Sequence, residues 1–180
     1  MAKKLPSLTE ALSDLIGRQH PFFTATAAST GRVNVSPKGM DTFRVLDTGR
    51  VGYLDLTGSG NETAAHILNN GRITFLFCAF TASPPILRLC GKGRATRPND
   101  PEWAVLRPSF GPELPEERQL IVAELDNVQT SCGFGRPLYT YEADRTQLLE
   151  WAVKKSAEEL DRYRSQKNAR SMDGPPTGQG

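Results

Sequence analysis

Apolar and polar residues alternate over several short stretches near the start of the chain, a pattern typical of half-buried β-strands. Turn sequences such as Ser-Thr-Gly-Arg and Thr-Gly-Arg separate these stretches, so consecutive strands are expected to pair as antiparallel hairpins. The predicted strands of this part are 21–28, 33–39, 43–47 and 51–56.

Longer apolar runs follow at 72–80, 86–96 and 118–131, and we interpret them as buried strands. Gly91 and Gly93 interrupt the second run and indicate a bulge or bend.

Helical patterns are fewer, and we predict four helices. An amphipathic helix covers the first 17 residues, a second helix covers 61–70 and ends at Gly71, a short one lies within 100–110, and a long amphipathic one covers 143–166. Because strands dominate and do not alternate regularly with helices, the sequence predicts a mainly β protein, an antiparallel barrel with peripheral α-helices. We expect a single domain over 1–168 and a disordered, Pro/Gly-rich tail over 169–180.

Composition agrees with one compact domain, since 38% of the 180 residues are hydrophobic. A net charge of +2 gives no reason to expect binding to nucleic acid or to a membrane surface. No apolar run approaches the roughly 20 residues of a membrane helix. Polar residues interrupt the N-terminal helix, so it does not resemble a signal peptide, and we expect a cytoplasmic protein.

Cysteine and histidine are scarce. The cysteines Cys78, Cys90 and Cys132 are widely separated, and only two histidines are present, so we expect no metal site and no disulfide framework. Redox chemistry in this chain would therefore need a bound organic cofactor.

The turn Thr-Gly-Ser-Gly-Asn-Glu-Thr, residues 57–63, joins a predicted strand to a helix. Ser59 and Glu62 fit a capping box, in which the serine hydroxyl accepts from a backbone N–H of the first helical turn and the glutamate carboxylate reaches back to the backbone N–H of the serine. Gly58 and Gly60 instead suggest a backbone nest whose N–H groups converge on an anion, at the positive end of the helix dipole. Both interpretations can hold together.

A phosphate would also attract basic side chains. The candidates on the predicted strands are Arg32, Lys38, Arg88, Lys92 and Arg94. Single basic residues on strands usually face solvent, but Arg88 lies within an apolar run, where a charge needs a partner or a site.

The segment Ser-Cys-Gly-Phe-Gly-Arg-Pro-Leu-Tyr-Thr-Tyr, residues 131–141, is predicted to be a loop. It is either a tight turn with packed Phe134 and Tyr139 or a loop that approaches a flat ligand. His66 lies among small and apolar residues of its helix, so we interpret it as a packed histidine rather than a catalytic base.

The ordered motifs FFTATA, GRVNVSPKGMDTFRVLD, VGYLDLTGSGNETAAHI, GRITFLFCAF and ILRLCGKG together resemble the pyridoxamine 5′-phosphate oxidase-like family. With SCGFG, the resemblance covers about 12–141. It implies an FMN-binding split β-barrel and a homodimer with the cofactor at the subunit interface.

The resemblance also implies site residues. Those expected along the flavin are Asn34, Val35, Ser36, Pro37 and Lys38. Those expected around the phosphate are Thr57, Ser59, Gly60, Asn61, Glu62 and Thr63. Arg88 is a further expected contact, and Cys132 and Gly133 are expected to approach from the partner subunit.

Two departures limit the implied activity. The turn is neutral where the oxidase itself carries more Arg and Lys, and the C-terminal signature that binds pyridoxal-type substrates is absent. We therefore expect an FMN-binding flavoprotein, an oxidoreductase acting on a small molecule other than the vitamin B6 substrate. The alternatives are an F420-dependent reductase of the same fold and a non-catalytic flavin or ligand carrier. No residue is singled out as catalytic.

Overall fold

The computed structural model describes residues 3–81, 85–115 and 117–179. Its elements, in chain order, are β1 (Lys3–Leu5), α1 (Glu10–Gly17), β2 (Phe22–Ala27), β3 (Val33–Lys38), β4 (Phe43–Val45), β5 (Arg50–Leu56), α2 (Glu62–Asn70), β6 (Arg72–Cys78), β7 (Pro85–Thr96), α3 (Pro101–Leu106), a 3-10 helix (Arg107–Phe110), β8 (Glu117–Cys132), α4 (Gln147–Val153) and α5 (Ala157–Lys167).

All strand pairs are antiparallel, in the order β3-β2-β6-β7-β8-β5-β4, with β1 added beside β8. The sheet curls into half a barrel around its core, which confirms the predicted antiparallel split barrel with peripheral helices. Residues on β2 alternate between buried and half-buried, as the period of two in the sequence requires.

Aromatic side chains fill the centre of the curled sheet. Phe22 lies edge-to-face against Phe43, with 5.0 Å between ring centroids, and against Tyr53 at 5.4 Å. Phe75 and Phe77 complete the cluster, and the apolar face of α1 packs on it. Such edge-to-face contacts suit the charge distribution of the rings and stabilise the core beyond simple burial.

Two glycines occupy positions where a side chain would clash or the backbone has a positive φ. The register of β7 against β8 shifts between Cys90 and Gly91, and a Cβ at Gly91 would overlap the carbonyl of Glu124. Gly71 ends α2 with a φ of 72°, in the left-handed region. The bulge predicted near Gly91 and the helix end at Gly71 are therefore both confirmed.

Two helices are shorter than predicted. Residues 3–5 form a strand beside β8, and the first helix begins only at Glu10, where Thr9 Oγ1 accepts from Leu12 N. The long helix predicted over 143–166 is wrong, because it is divided into α4 and α5. Ser156 caps α5: its Oγ accepts from Glu159 N, while Glu159 Oε2 accepts from Ser156 N.

The C-terminal segment folds back on the barrel. Thr177 is fully buried, Thr177 N donates to Ala169 O at 3.0 Å, and Ser171 N donates to Pro175 O at 2.9 Å. We did not expect these contacts from the Pro/Gly-rich composition of the segment. They bring residues 168–173 to the end of β5 and the start of α2.

Candidate functional site

A cavity of about 550 Å³ lies where β3, the β5–α2 turn, the start of β8 and the C-terminal segment meet. Eleven of its sixteen lining residues are polar or charged. The lining residues are Ser36, Pro37, Lys38, Asp55, Leu56, Gly58, Ser59, Gly60, Asn61, Glu62, Thr63, Arg118, Lys167, Arg170, Ser171 and Met172.

The β5–α2 turn forms one wall of this cavity, and its glycines leave room there. A Cβ built at Gly58 meets nothing within 4 Å, and one at Gly60 meets only Glu62 Oε1 at 3.9 Å. The turn leads into the N-terminus of α2, a nine-residue helix. Backbone N–H groups at such a terminus favour an anion, so this wall suits a phosphate.

The predicted capping box is wrong. Asn61, not Ser59, is the N-cap of α2, and it makes no side-chain cap hydrogen bond. Glu62 does not reach back to the turn either, since its Oε1 accepts from Met172 N at 2.9 Å. A tertiary hydrogen bond replaces the local cap, because the Glu62 carboxylate accepts from the C-terminal segment and not from the turn.

Asn61 is held by a second amide. Asn61 is only 2% exposed, and its Oδ1 accepts from Gln119 Nε2 at 2.8 Å. That bond fixes the orientation of the Asn61 amide. Asn61 Nδ2 has no hydrogen-bond partner among the described residues. A buried donor without a partner is costly, and a phosphate oxygen in the adjoining cavity would satisfy it.

Asp55 is the centre of a buried ion network behind the cavity. Its carboxylate accepts from Lys38 Nζ at 2.8 Å, from Arg118 Nη2 at 2.7 Å and from Gln119 Nε2 at 2.8 Å. Burial alone would raise the pKa of Asp55, but the positive charges of Arg118 and Lys38 lower it below its ordinary value of 3.8. The carboxylate therefore stays ionised and holds Lys38 at the cavity wall.

The C-terminal segment supplies the remaining charge. Lys167 and Arg170 both line the cavity and are exposed. Counting all its lining side chains, the cavity has four basic residues and two acidic ones, a formal excess of two positive charges. A negatively charged ligand is therefore favoured.

Most of the residues predicted to contact a cofactor do line this cavity: Ser36, Pro37, Lys38, Ser59, Gly60, Asn61, Glu62 and Thr63. Asn34 and Val35 line a smaller neighbouring cavity of about 160 Å³, which shares Glu62 and Met172 with the large one. Thr57 is fully buried behind the turn, and its Oγ1 accepts from Arg164 Nε at 2.9 Å.

Besides Asn34, Val35 and Thr57, three more predicted residues do not line the large cavity within one chain. Arg88 lies on β7 and donates to Ser131 Oγ at 3.2 Å, while Cys132 ends β8 and Gly133 begins the loop after it. Their approach to a site on a partner subunit stays a prediction. Phe134 is 90% exposed, so the interpretation of this loop as a turn with a packed Phe134 is wrong.

Of the five basic candidates on strands, Lys38 alone lines the large cavity. The other four have partners elsewhere: Arg88 donates to Ser131, as described above, Arg32 pairs with Asp173, Arg94 pairs with Glu102, and Lys92 Nζ donates to Asn70 O. His66 is buried, with its Nδ1 at 3.0 Å from Thr26 Oγ1, which confirms that it is a packed histidine.

Sequence reasoning missed Asp55, Arg118, Lys167 and Arg170. Asp55 did carry a signal, because a carboxylate between Leu54 and Leu56 on a buried strand needs a partner, as was argued for Arg88. Lys167 and Arg170 carried none, since only the fold brings the C-terminal segment to the turn.

Within residues 3–81, 85–115 and 117–179, no three His, Cys, Asp or Glu side chains are grouped closely enough to hold a metal ion. Among the same residues, no helix has the length and apolar character needed to cross a membrane.

Comparison with known proteins places the chain in a family. Residues 8–132 match the family model described as pyridoxamine 5′-phosphate oxidase. The pyridoxamine 5′-phosphate oxidase family protein ustO of Aspergillus flavus is 39% identical over 189 residues, which cover 94% of this chain and 75% of that protein.

Solved structures share the fold at lower identity. A candidate pyridoxamine 5′-phosphate oxidase of Lactobacillus delbrueckii aligns with a TM-score of 0.55 and 22% identity, over 70% of this chain and 98% of that one. HupZ of Group A Streptococcus aligns with a TM-score of 0.52 and 20% identity, over 67% of this chain and 91% of that one. The matched model and the 39% identical relative together show that this chain belongs to the pyridoxamine 5′-phosphate oxidase family.

Proposed function

We propose that the protein is an FMN-binding flavoprotein that acts as an oxidoreductase on a small molecule. The observation that carries this proposal is the β5–α2 turn, where Gly58 and Gly60 leave space beside a helix N-terminus and Asn61 Nδ2 is buried without a partner. These groups fit a phosphate, and the family resemblance supports FMN as the phosphate-bearing ligand.

In this proposal the phosphate is bound by the turn, through Ser59, Gly60, Asn61 and Thr63. Ser36 and Lys38 of β3 line the same cavity and would hold the ribityl chain and ring. Lys38 is suited to this role because Asp55 holds its ammonium group in place at the wall. A held cation needs less reorganisation on binding than a free surface lysine.

Bound FMN would supply hydride or electron transfer, chemistry that amino-acid side chains alone do not provide. The chain's own contribution is to anchor the phosphate, orient the ring and hold Lys38 beside it. Lys38 Nζ donates to Asp55 Oδ1 at 2.8 Å, so this side chain is held as a hydrogen-bond donor at the cavity wall.

We further propose a homodimer. β3 is an edge strand with apolar side chains facing outward, since Val33 is 70% exposed and Val35 is 62% exposed. Exposed apolar groups on an open sheet edge favour pairing with another surface. Light scattering of the purified protein at micromolar concentration should give twice the chain mass of 19.8 kDa. A monomeric mass would contradict the dimer.

Purified protein incubated with excess FMN and then dialysed tests the cofactor. We expect a yellow protein with flavin absorbance and a higher melting temperature than the untreated sample. Parallel incubation with F420 should leave no bound cofactor, and retention of F420 alone would favour the reductase alternative. The FMN-loaded protein is then mixed anaerobically with NADH and, separately, with NADPH. If neither nucleotide reduces the bound FMN faster than it reduces free FMN, the carrier alternative would be favoured.

A further inference from the structure

Part of the positive charge of the cavity comes from an unexpected part of the chain. The turn that forms the proposed phosphate wall is neutral from Thr57 to Asn61, and Glu62 after it is acidic. Lys38 and Arg118 share the single buried carboxylate of Asp55, which leaves one formal positive charge there. The other two basic lining residues are Lys167, at the end of α5, and Arg170, just beyond it.

Neither Lys167 nor Arg170 forms an ion pair with a carboxylate within residues 3–81, 85–115 and 117–179. Arg170 Nη1 donates to Gly174 O at 2.9 Å, inside the C-terminal segment itself. A lysine in the last turn of a helix can also be explained by the helix dipole. Arg170 lies outside the helix, so that explanation does not cover it.

The segment that carries these two residues is attached to the turn. Asn168 is fully buried and donates from Nδ2 to Gly58 O at 3.0 Å, and Met172 N donates to Glu62 Oε1 at 2.9 Å. On the far side, Asp173 pairs with Arg32 and accepts from its backbone N–H at 2.7 Å. The segment therefore crosses from the phosphate wall to β3, the strand proposed to follow the flavin.

We propose that residues 167–173 form the cationic wall of the anion site and that Lys167 and Arg170 bind the ligand's phosphate directly. This inference rests on the proposed function for the identity of the ligand as FMN. It assigns the charge that the turn lacks to a C-terminal segment of the same chain. The segment thereby becomes a determinant of selectivity for a phosphorylated ligand over its dephosphorylated form.

The test removes both charges and compares the result with an equal loss of charge elsewhere. The variant is Lys167→Ala with Arg170→Ala. The control is Lys154→Ala with Arg162→Ala, which removes two exposed basic residues of the same region that do not line the cavity. Both variants are titrated with FMN and with riboflavin, and their melting temperatures are recorded with and without inorganic phosphate.

We expect the cavity variant to bind FMN about tenfold to hundredfold more weakly than the wild type, since hydrogen bonds to charged groups have that effect. Riboflavin affinity should be unchanged, and the increase in melting temperature caused by phosphate should be reduced. The control should match the wild type in all three measurements. Equal FMN affinity in the two variants would overturn the assignment.

The same experiment separates this inference from the proposed function. If the wild type fails to bind FMN but is stabilised by phosphate, and the cavity variant loses that stabilisation, the cationic wall is supported and FMN is the wrong ligand. If the wild type and both variants bind FMN equally, FMN is supported and the cationic wall is wrong. If phosphate stabilises all three proteins to the same extent, the cationic wall is also wrong.

Discussion

Asn168 donates a hydrogen bond from Nδ2 to the carbonyl oxygen of Gly58 at 3.0 Å, across 110 residues of sequence. Its Oδ1 accepts from Arg118 Nη1 at 2.7 Å, and Arg118 Nη1 also donates to Gly60 O at 3.0 Å. One buried amide thus connects the C-terminal segment, β8 and the glycine turn. The shape of the proposed phosphate wall depends on tertiary contacts, not on a local helix cap.

Replacing Asn168 with alanine should loosen this connection. The change removes the hydrogen-bond partner of Gly58 O and one partner of Arg118 Nη1, both in a buried environment. We therefore expect the free energy of unfolding to fall by about 2 kcal/mol. Urea denaturation measures the loss. Hydrogen exchange should become faster in 168–179. The control is Ser165→Ala on the exposed face of α5, which should change neither quantity; equal protection in both variants would contradict the role of Asn168.

The glycine turn gives a prediction that separates binding from stability. Gly58→Val should leave the free energy of unfolding within about 0.5 kcal/mol, because a Cβ there meets nothing within 4 Å. The added side chain enters the space proposed for the phosphate, so FMN affinity should fall at least about tenfold. Isothermal titration measures the affinity, and denaturation measures the stability.

Gly17→Val is the matched control, since Gly17 also has nothing within 4 Å of a built Cβ but lies at the end of α1. It should bind FMN as the wild type does. Unchanged FMN affinity in Gly58→Val would show that the space beside the turn is not where the phosphate binds.

Asp55→Asn should be strongly destabilising. The substitution removes the negative charge that compensates Arg118, whose side chain is 2% exposed, and Lys38. Breaking a buried pair leaves an uncompensated charge, and we expect a loss of about 3 kcal/mol in the free energy of unfolding. The exposed pair of Asp47 with Arg50 is the control, because Asp47→Asn should cost no more than about 0.5 kcal/mol. Equal losses of unfolding free energy in Asp55→Asn and Asp47→Asn would contradict the role of Asp55 as the carboxylate that compensates Arg118 and Lys38.

The advantage of the wild type over Asp55→Asn should depend on pH. Because the pKa of Asp55 is lowered on folding, the stabilisation is fully present above its ordinary value of 3.8 and is lost as pH falls below that value. Urea denaturation of both proteins at several pH values from neutral to about 3 should show the difference shrinking only at the acidic end. A difference that stays constant to the lowest pH would contradict the lowered pKa.

Local patterns were sufficient for most of the fold. Short strand-like runs bounded by turn residues identified β2 and β5, and Gly71 fixed the end of α2. Local patterns gave a wrong prediction where a side chain can bond either to a neighbour in sequence or to a distant segment. Glu62 fits a capping box by spacing, yet it accepts from Met172 N, 110 residues away. A local sequence pattern contains no information about such a distant segment.

The same limit applies to the site. The turn and β3 were found because their motifs are continuous in sequence. Arg118 and Arg170 were not, since they acquire their place only when β8 and the C-terminal segment pack beside β5. Charge near a candidate anion site is therefore poorly predicted from the sequence of the turn alone.

The most direct measurement is the affinity of the wild-type protein for FMN and for riboflavin, which differ only in the phosphate. We predict one FMN bound per chain and riboflavin bound at least about a hundredfold more weakly, because the turn and the basic side chains act on the phosphate. Equal affinity for the two ligands, or no binding of FMN, would contradict a phosphate site at the β5–α2 turn.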